Sequence, residues 1–397
     1  MQNMTRILFL LSRFLDGGID AVLLDYLRQL AQRPDYRITL AIGLRMGALE
    51  VFRRQIPPQV RVVYLVDKPW LTRLRRQKVR HRLPFYQKMY DEMALSPIRR
   101  YLIGHKLRRL ASLHDVVVDF DCCHHAYLQQ VTTWKVAWFH FSFKQLMQQH
   151  RRHTQRIGHH LSRYDRIVTI SQAMLDEGRE LFPWLEGRWR LIYNAKDEQL
   201  LHSRAQQPVD DARILSPYIL SVERLEESQK DLSTLIRAYS LLRTQYHHQE
   251  KLYLLGKGRD KQRLRHLAQE LHVADDVVFL GFTANPYPWI AHARLMVHSA
   301  KFEGLPTVLI ESLVMGKLIV ATDCPTGPRE ILDQGRAGLL TPVGDAPALA
   351  EAMHRLLTDT TLQDSILAHA SQHKSRFLFQ QVGRQFDEVI HPTTPRP

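Results

Sequence analysis

The chain has 397 residues, 45% of them hydrophobic and 24% charged, with Lys+Arg 55 against Asp+Glu 40 and a formal net charge of +15. That length suffices for two domains with separate cores, and no apolar run approaches the roughly eighteen residues that a membrane span needs. Cys122, Cys123 and Cys324 are too few for a disulfide framework, and the opening MQNMTRILFLLSRF is too short and wrongly flanked for a signal peptide, so a cytoplasmic protein is expected.

Short β-like runs alternate with helical periods from the start: RILFLL (6–11), a helix over about 19–32, YRITLAIG (36–43) and VRVVYLV (60–66). This is the pattern of a parallel sheet wrapped by helices. Gly17 and Gly18, between the first strand and its helix, leave bare backbone for a phosphate or sugar, with an ordinary turn as the competing reading. Residues 68–109 then break the alternation. KPWLTRLRRQKVRHRLPFYQKMY (68–90) and RRYLIGHKLRRL (99–110) intersperse Trp70, Phe85, Tyr86, Tyr90 and Tyr101 among cations, with no acid between Lys68 and Lys88. Rings and cations together suit an anionic membrane surface; a merely solvated helix pair is the alternative, and no nucleic-acid motif accompanies the charge.

The alternation resumes with DVVVDF (115–120), WKVAWFHF (134–141), DRIVTIS (165–171) and WRLIYNA (189–195). His140 ends a strand where a doubly wound sheet opens to its ligand, although a histidine beside aromatics also serves as a core residue satisfied by backbone. DCCHHAYL (121–128) holds metal-ligand types, but its consecutive residues cannot all turn toward one tetrahedral ion, and no metal is expected. Polar residues from about 196 to 216 mark a domain boundary.

A second series follows: YILSVE (218–223), a helix over about 231–243, KLYLLGKG (251–258), a helix to about 271, DVVFLGF (276–282), ARLMVHSA (293–300) and LIVATD (318–323). Arg224 and Lys230 follow its first strand and bring two cations to the sheet's carboxyl end, where a departing pyrophosphate needs charge. In KFEGLPTVLIESLVMGK (301–317), Pro306 suits the first turn of a helix and Gly316 its end, so a helix over about 306–315 is predicted. Glu311 then lies within it and Glu303 before it. Gly304 and Leu305 lie between, with amides that no helical carbonyl satisfies, at the positive end of the dipole. The result is an anion-binding corner, with a cap and a solvated helix face as the plainer account of the two glutamates. Helices near 345–358 and 377–390 finish the chain.

The blocks DRIVTISQAM, LIYNAKD, RLEESQKDLSTLIRAY, VVFLGF, FEGLPTVLIESLVMGKLIVATDCPTGPREIL and GLLTPVGD stand in the order found in the retaining nucleotide-sugar glycosyltransferases of family 4. The chain resembles that family over nearly its whole length, most strongly over 165–342. The fold implied is α/β, GT-B: two facing Rossmann-like doubly wound domains with a cleft between them. The expected parts are an acceptor-binding domain, 1–195, a nucleotide-sugar-binding domain, 196–376, and a helix and tail, 377–397, crossing back to the first.

Glu303 and Glu311 match the family's E-x7-E signature. The resemblance gives Glu303 the donor sugar's hydroxyls and Glu311 the ribose diol. It gives Arg224 and Lys230 the diphosphate, helped by amides around Gly304 and Leu305 and at Gly17 and Gly18. Gly281 and Phe282 lie where the family's backbone reads the base, and His140 corresponds to the histidine near the anomeric centre and acceptor.

The resemblance implies a UDP-sugar donor substrate with no further cofactor, no protein nucleophile and no divalent metal. The acceptor hydroxyl attacks the face from which the nucleotide leaves, and a phosphate oxygen takes its proton. Positioning and charge on the leaving group are what such a site must supply. TDCPTGPREIL (322–332) is similar to members that build bacterial surface polysaccharide, including lipopolysaccharide core and lipid-linked repeat units. The implied partners are a nucleotide-sugar donor, a glycan or glycolipid acceptor and an anionic membrane surface, with no nucleic acid, and the implied location is peripheral on the inner face of the cytoplasmic membrane. Two features depart from the family. Glu223 stands where Gly usually precedes the Arg, and the spacing from Arg224 to Lys230 is one residue longer than the commonest version. The competing functions are a nucleotide-sugar epimerase of the same fold and a non-catalytic basic membrane- or RNA-binding protein.

Overall fold

A computed structural model describes residues 4–391, and the side chains of these other than residues 80 and 149–156; the expected tail beyond 391 lies outside the described residues. The chain divides into two compact units, one made of Met1–Ile170, Leu175–Ile192 and the chain from Gly383, the other of Ser171–Met174 and Tyr193–Val382.

The first unit holds strands β1 (Thr5–Leu11), β2 (Tyr36–Leu44), β3 (Arg61–Val66), β4 (Val116–Asp119), β5 (Trp134–Phe139), β6 (Arg166–Thr169) and β7 (Trp189–Leu191). They form one parallel sheet in the order β3-β2-β1-β4-β5-β6-β7, with Ile7 opposite both Ile38 and Val116. Ile7 to Leu11 are all buried, as expected of a parallel strand covered on both faces. Phe9, Tyr26, Phe120 and Trp138 build an aromatic core into which Phe386 of the last helix, Phe379–Ile390, also packs, its ring stacked 6.1 Å from Phe9. Trp134 Nε1 donates to Val389 O at 3.0 Å and holds that helix in place.

Strands β8 (Tyr218–Val222), β9 (Lys251–Leu255), β10 (Val277–Gly281), β11 (Leu295–His298), β12 (Ile319–Thr322) and β13 (Leu339–Thr341) make the second sheet, also parallel, in the order β10-β9-β8-β11-β12-β13. Its strand order reverses between β8 and β11, and such a switch point opens a crevice at the carboxyl ends of the strands. Leu235, Ile236 and Tyr239 of helix Leu232–Thr244 share a buried core with Leu349, Met353 and Leu356 of helix Ala346–Thr358. Asp345 caps the latter helix by accepting from Ala348 N at 2.9 Å.

Two segments differ from the sequence expectation. The polar stretch after 196 contains a helix, Glu198–Ala205, capped by Asp197 accepting from Leu200 N at 3.0 Å, and a 3-10 turn, Ala212–Leu215. Leu201 alone is buried in that helix, so no apolar period announced it. The basic segment is helical over Pro69–Arg80, Phe85–Tyr90 and Ser96–Ala111, with a π turn at Asp91–Leu95. Two of its cations are internal ties: buried Asp91 meets Arg99 Nη1 at 2.6 Å and Arg75 Nε at 2.7 Å. Its aromatic side chains stand out, with Phe85 79% and Tyr101 70% exposed. No helix among the described residues is long and apolar enough to cross a membrane.

Candidate functional site

The corner predicted after β11 forms in the second unit. Helix Thr307–Val314 starts directly after Pro306, and both signature glutamates are buried. Glu303 Oε1 meets the buried Lys230 ammonium and lies 3.3 Å from His298 Nε2, while its Oε2 accepts from Gln229 Nε2 at 3.3 Å. Burial by itself would raise the Glu303 pKa, but the charges of Lys230 and His298 outweigh it and hold the carboxyl at about 2. Glu311 Oε1 accepts from Lys196 Nζ at 2.6 Å and from Tyr287 OH at 3.2 Å. The carbonyls of Gly304 and Leu305 are held by Thr326 Oγ1 at 2.7 Å and Asn194 Nδ2 at 3.2 Å. Their amides have no partner among the described residues, which leaves two donors at a helix start beside two carboxylates.

Arg224 and Lys230, expected as a pair, have different settings. Arg224 is exposed, its guanidinium donating to Gln229 Oε1 at 2.9 Å. Lys230 is fixed through a backbone bridge to Ala300 and faces carboxylates. Burial would lower its pKa, but Glu303 and Glu223 raise it, so it stays an ammonium. At the end of β10, Gly281 has φ +85°, in the region that favours glycine, and its carbonyl accepts from Gly256 N at 2.7 Å. Phe282 follows, 43% exposed, with Lys257 Nζ 4.5 Å from its ring centroid.

The remaining candidates lie in the first unit. Gly17 caps helix Gly18–Leu30, and its amide donates to Asp20 Oδ2 at 2.8 Å, so a side chain of the chain itself already uses that donor. Burial raises the Asp20 pKa to about 6 although two backbone amides oppose it. A Cβ on Gly18 would meet nothing within 4 Å, so the helix start is open there. His140 directly follows β5 and is buried; its Nε2–H donates to Phe120 O at 2.8 Å. Burial pushes its pKa down to about 4, so the ring is neutral at pH 7 with its lone pair on Nδ1.

Sequence reasoning missed Lys196, Tyr287, Glu223 as a site residue, and His298. Lys196 lies in LIYNAKD, where local pattern gives it no role, and His298 ends a strand at the carboxyl edge just as His140 does. That shared position was the available signal. Two groups of possible metal ligands come together among the described residues, Asp119 with Asp121 and His124, and Asp333 with His369 and His373. Protein donors already hold them: Asp119 accepts from Tyr164 OH at 2.6 Å and pairs with His124, and Asp333 is 2.6 Å from Arg336.

Residues 216–359 match the profile of the family Glycosyl transferases group 1. Over those residues the chain is similar to that family. The chain is 32% identical over 225 residues to the N-acetylgalactosamine-N,N'-diacetylbacillosaminyl-diphospho-undecaprenol 4-alpha-N-acetylgalactosaminyltransferase of Campylobacter jejuni, covering 57% of each protein. It is 32% identical over 148 residues to the lipopolysaccharide core biosynthesis glycosyltransferase LpsE of Rhizobium meliloti, covering 37% of this chain and 42% of that enzyme. The chain thus spans about half the length of these relatives. In structure it is similar to Anabaena Alr3699/HepE in complex with UDP, with a TM-score of 0.74, 19% identity, and coverage of 97% of this chain and 99% of that one. The two parallel sheets are those of the GT-B fold. The matched residues include Arg224, Lys230, Gly281, Phe282, Glu303, Gly304, Leu305 and Glu311, while Lys196 reaches Glu311 from outside them.

Proposed function

We propose that this protein is a retaining, metal-independent glycosyltransferase that moves a hexose or N-acetylhexosamine from a UDP-sugar to a membrane-associated glycan, a lipopolysaccharide core or lipid-linked polysaccharide precursor. The observation that carries this reading is the corner of the group 1 domain, where Glu303 and Glu311, each neutralised by a buried lysine, flank two unpaired amides at a helix start. Anionic carboxylates accept from sugar and ribose hydroxyls, and the amides with Arg224 offset charge on a diphosphate. As the anomeric C–O bond to UDP breaks, a bond to the acceptor oxygen forms on the same face, and the acceptor's proton passes to a phosphate oxygen. No protein nucleophile is needed. Glu303 orients the sugar, Glu311 the ribose, and Arg224 stabilises the departing diphosphate, with Lys230 acting through Glu303. Gly281 and Phe282 serve the base.

The first domain takes the acceptor in this reading, with His140 and the Gly17–Gly18 turn at its site. The neutral ring of His140 keeps an accepting nitrogen, Nδ1, which suits an acceptor hydroxyl. The exposed rings and cations of 68–109 support contact with an anionic membrane, in keeping with a peripheral enzyme on the inner face of the cytoplasmic membrane. The reading is tested by incubating the protein with UDP-sugars and an extract of lipid-linked glycans and measuring UDP release. Release that depends on both components is expected; no release from any donor would sink the proposal.

A further inference from the structure

Glu223 directly precedes Arg224, and the structure gives it a specific partner. It directly follows β8, and His298 is the last residue of β11, the neighbouring strand, so both side chains stand at the switch point of the second sheet. Glu223 Oε1 accepts from Ser299 N at 3.0 Å and Ser221 Oγ at 3.2 Å, and lies 2.9 Å from His298 Nδ1. The other ring nitrogen, Nε2, lies 3.3 Å from Glu303 Oε1, so a carboxylate, an imidazole and a second carboxylate stand in a row. All three are buried, and Lys230 closes the row on the same Glu303 oxygen.

Charge balance decides the state of this row. Two carboxylates and one ammonium leave a net negative charge in a buried site, which an imidazolium at His298 cancels. Burial and the nearby Lys230 ammonium favour the neutral ring, but Glu223 and Glu303 outweigh them and raise its pKa. With Oε1 of Glu303 paired with Lys230 and beside His298, its Oε2 has, among the described residues, the 3.3 Å contact from Gln229 and is the oxygen left to accept from a ligand. Glu223 Oε2, buried, has no hydrogen-bond partner among the described residues.

We propose that Glu223 and His298 are positioning residues of the donor site, which lock Glu303 by one oxygen and so aim the other at a hydroxyl of the transferred sugar. The inference rests on the donor reading above. It assigns the pair to recognition of the sugar and not of the nucleotide, because the polar partners of both residues lie on the Glu303 side, and among the described residues neither shares a hydrogen bond or ion pair with Glu311.

The test is calorimetric titration of wild type, E223Q and H298Q with UDP and with the best-bound member of a panel of UDP-glucose, UDP-galactose, UDP-N-acetylglucosamine and UDP-N-acetylgalactosamine. Both variants are expected to bind UDP as wild type does and to raise the ratio of UDP-sugar Kd to UDP Kd by roughly tenfold, the value of a charge-assisted hydrogen bond. If E223Q does not fold, E223Q/H298L removes one charge of each sign and must raise the ratio equally. An unchanged ratio in folded variants overturns this inference and leaves the donor reading standing. Wild-type protein that binds neither UDP nor any UDP-sugar overturns both.

Discussion

Lys196 Nζ lies 2.6 Å from Glu311 Oε1, with the lysine side chain 1% and the glutamate 9% exposed. Removing one partner of such a pair leaves an uncompensated buried charge, at a cost of roughly 3 to 5 kcal/mol. E311A is therefore expected to lower stability by about that amount in urea unfolding and, in protein still folded, to weaken UDP binding. K196M should do both. A folded E311A protein with wild-type UDP affinity would remove Glu311 from the nucleotide site.

Arg224 stands apart from this buried chemistry. Its guanidinium is exposed and bonded only to Gln229 among the described residues, so R224A is expected to leave urea stability within about 0.5 kcal/mol of wild type. Turnover should fall by an amount equivalent to roughly 2 to 4 kcal/mol of transition-state stabilisation. K230A should instead unfold more readily, because buried Glu303 loses its paired cation and Glu223 a nearby positive charge. Unchanged kinetics in R224A would strike that residue from the mechanism.

Asp20 carries a pH signature in the first unit. Burial raises its pKa from 3.8 to about 6, so the fold binds that proton more tightly than the unfolded chain does. A raised folded-state value means that the stabilisation is complete below the unfolded value and is lost as pH rises through about 6. D20N has no proton to lose and is expected to gain about 1 to 3 kcal/mol on wild type between pH 4 and pH 8. Parallel stability profiles for the two proteins across that range would refute the assignment.

For the basic segment, the structure separates cations that tie helices from those facing solvent. Arg73, Lys78, Arg82 and Lys88 are exposed, whereas Arg75 and Arg99 hold Asp91. The quadruple replacement R73Q/K78Q/R82Q/K88Q is expected to reduce sedimentation with phosphatidylglycerol liposomes, most at low salt, and to leave UDP binding intact. Equal sedimentation at all salt concentrations would show these cations to be only solvating. R99Q should lower stability instead, because it leaves Asp91 with one cation.

What the sequence determined by itself is the architecture and the corner. Apolar strand runs between helical periods dictate two parallel sheets, because the part of a strand buried on both faces is apolar, as Ile7 to Leu11 of β1 and Ile319 to Ala321 of β12 are. The local rules for proline, glycine and helix dipoles likewise placed Glu303, Gly304, Leu305 and Glu311 around one helix start. Tertiary structure alone decided what those groups face. Lys196 is 115 positions from Glu311, and Lys230 is 73 from Glu303, distances over which local pattern carries no information. The ends of β8 and β11 become neighbours only through the sheet's strand order, and that adjacency brings His298 between Glu223 and Glu303. Burial then sets the charges, because a carboxylate removed from water persists only where a cation has been brought to it.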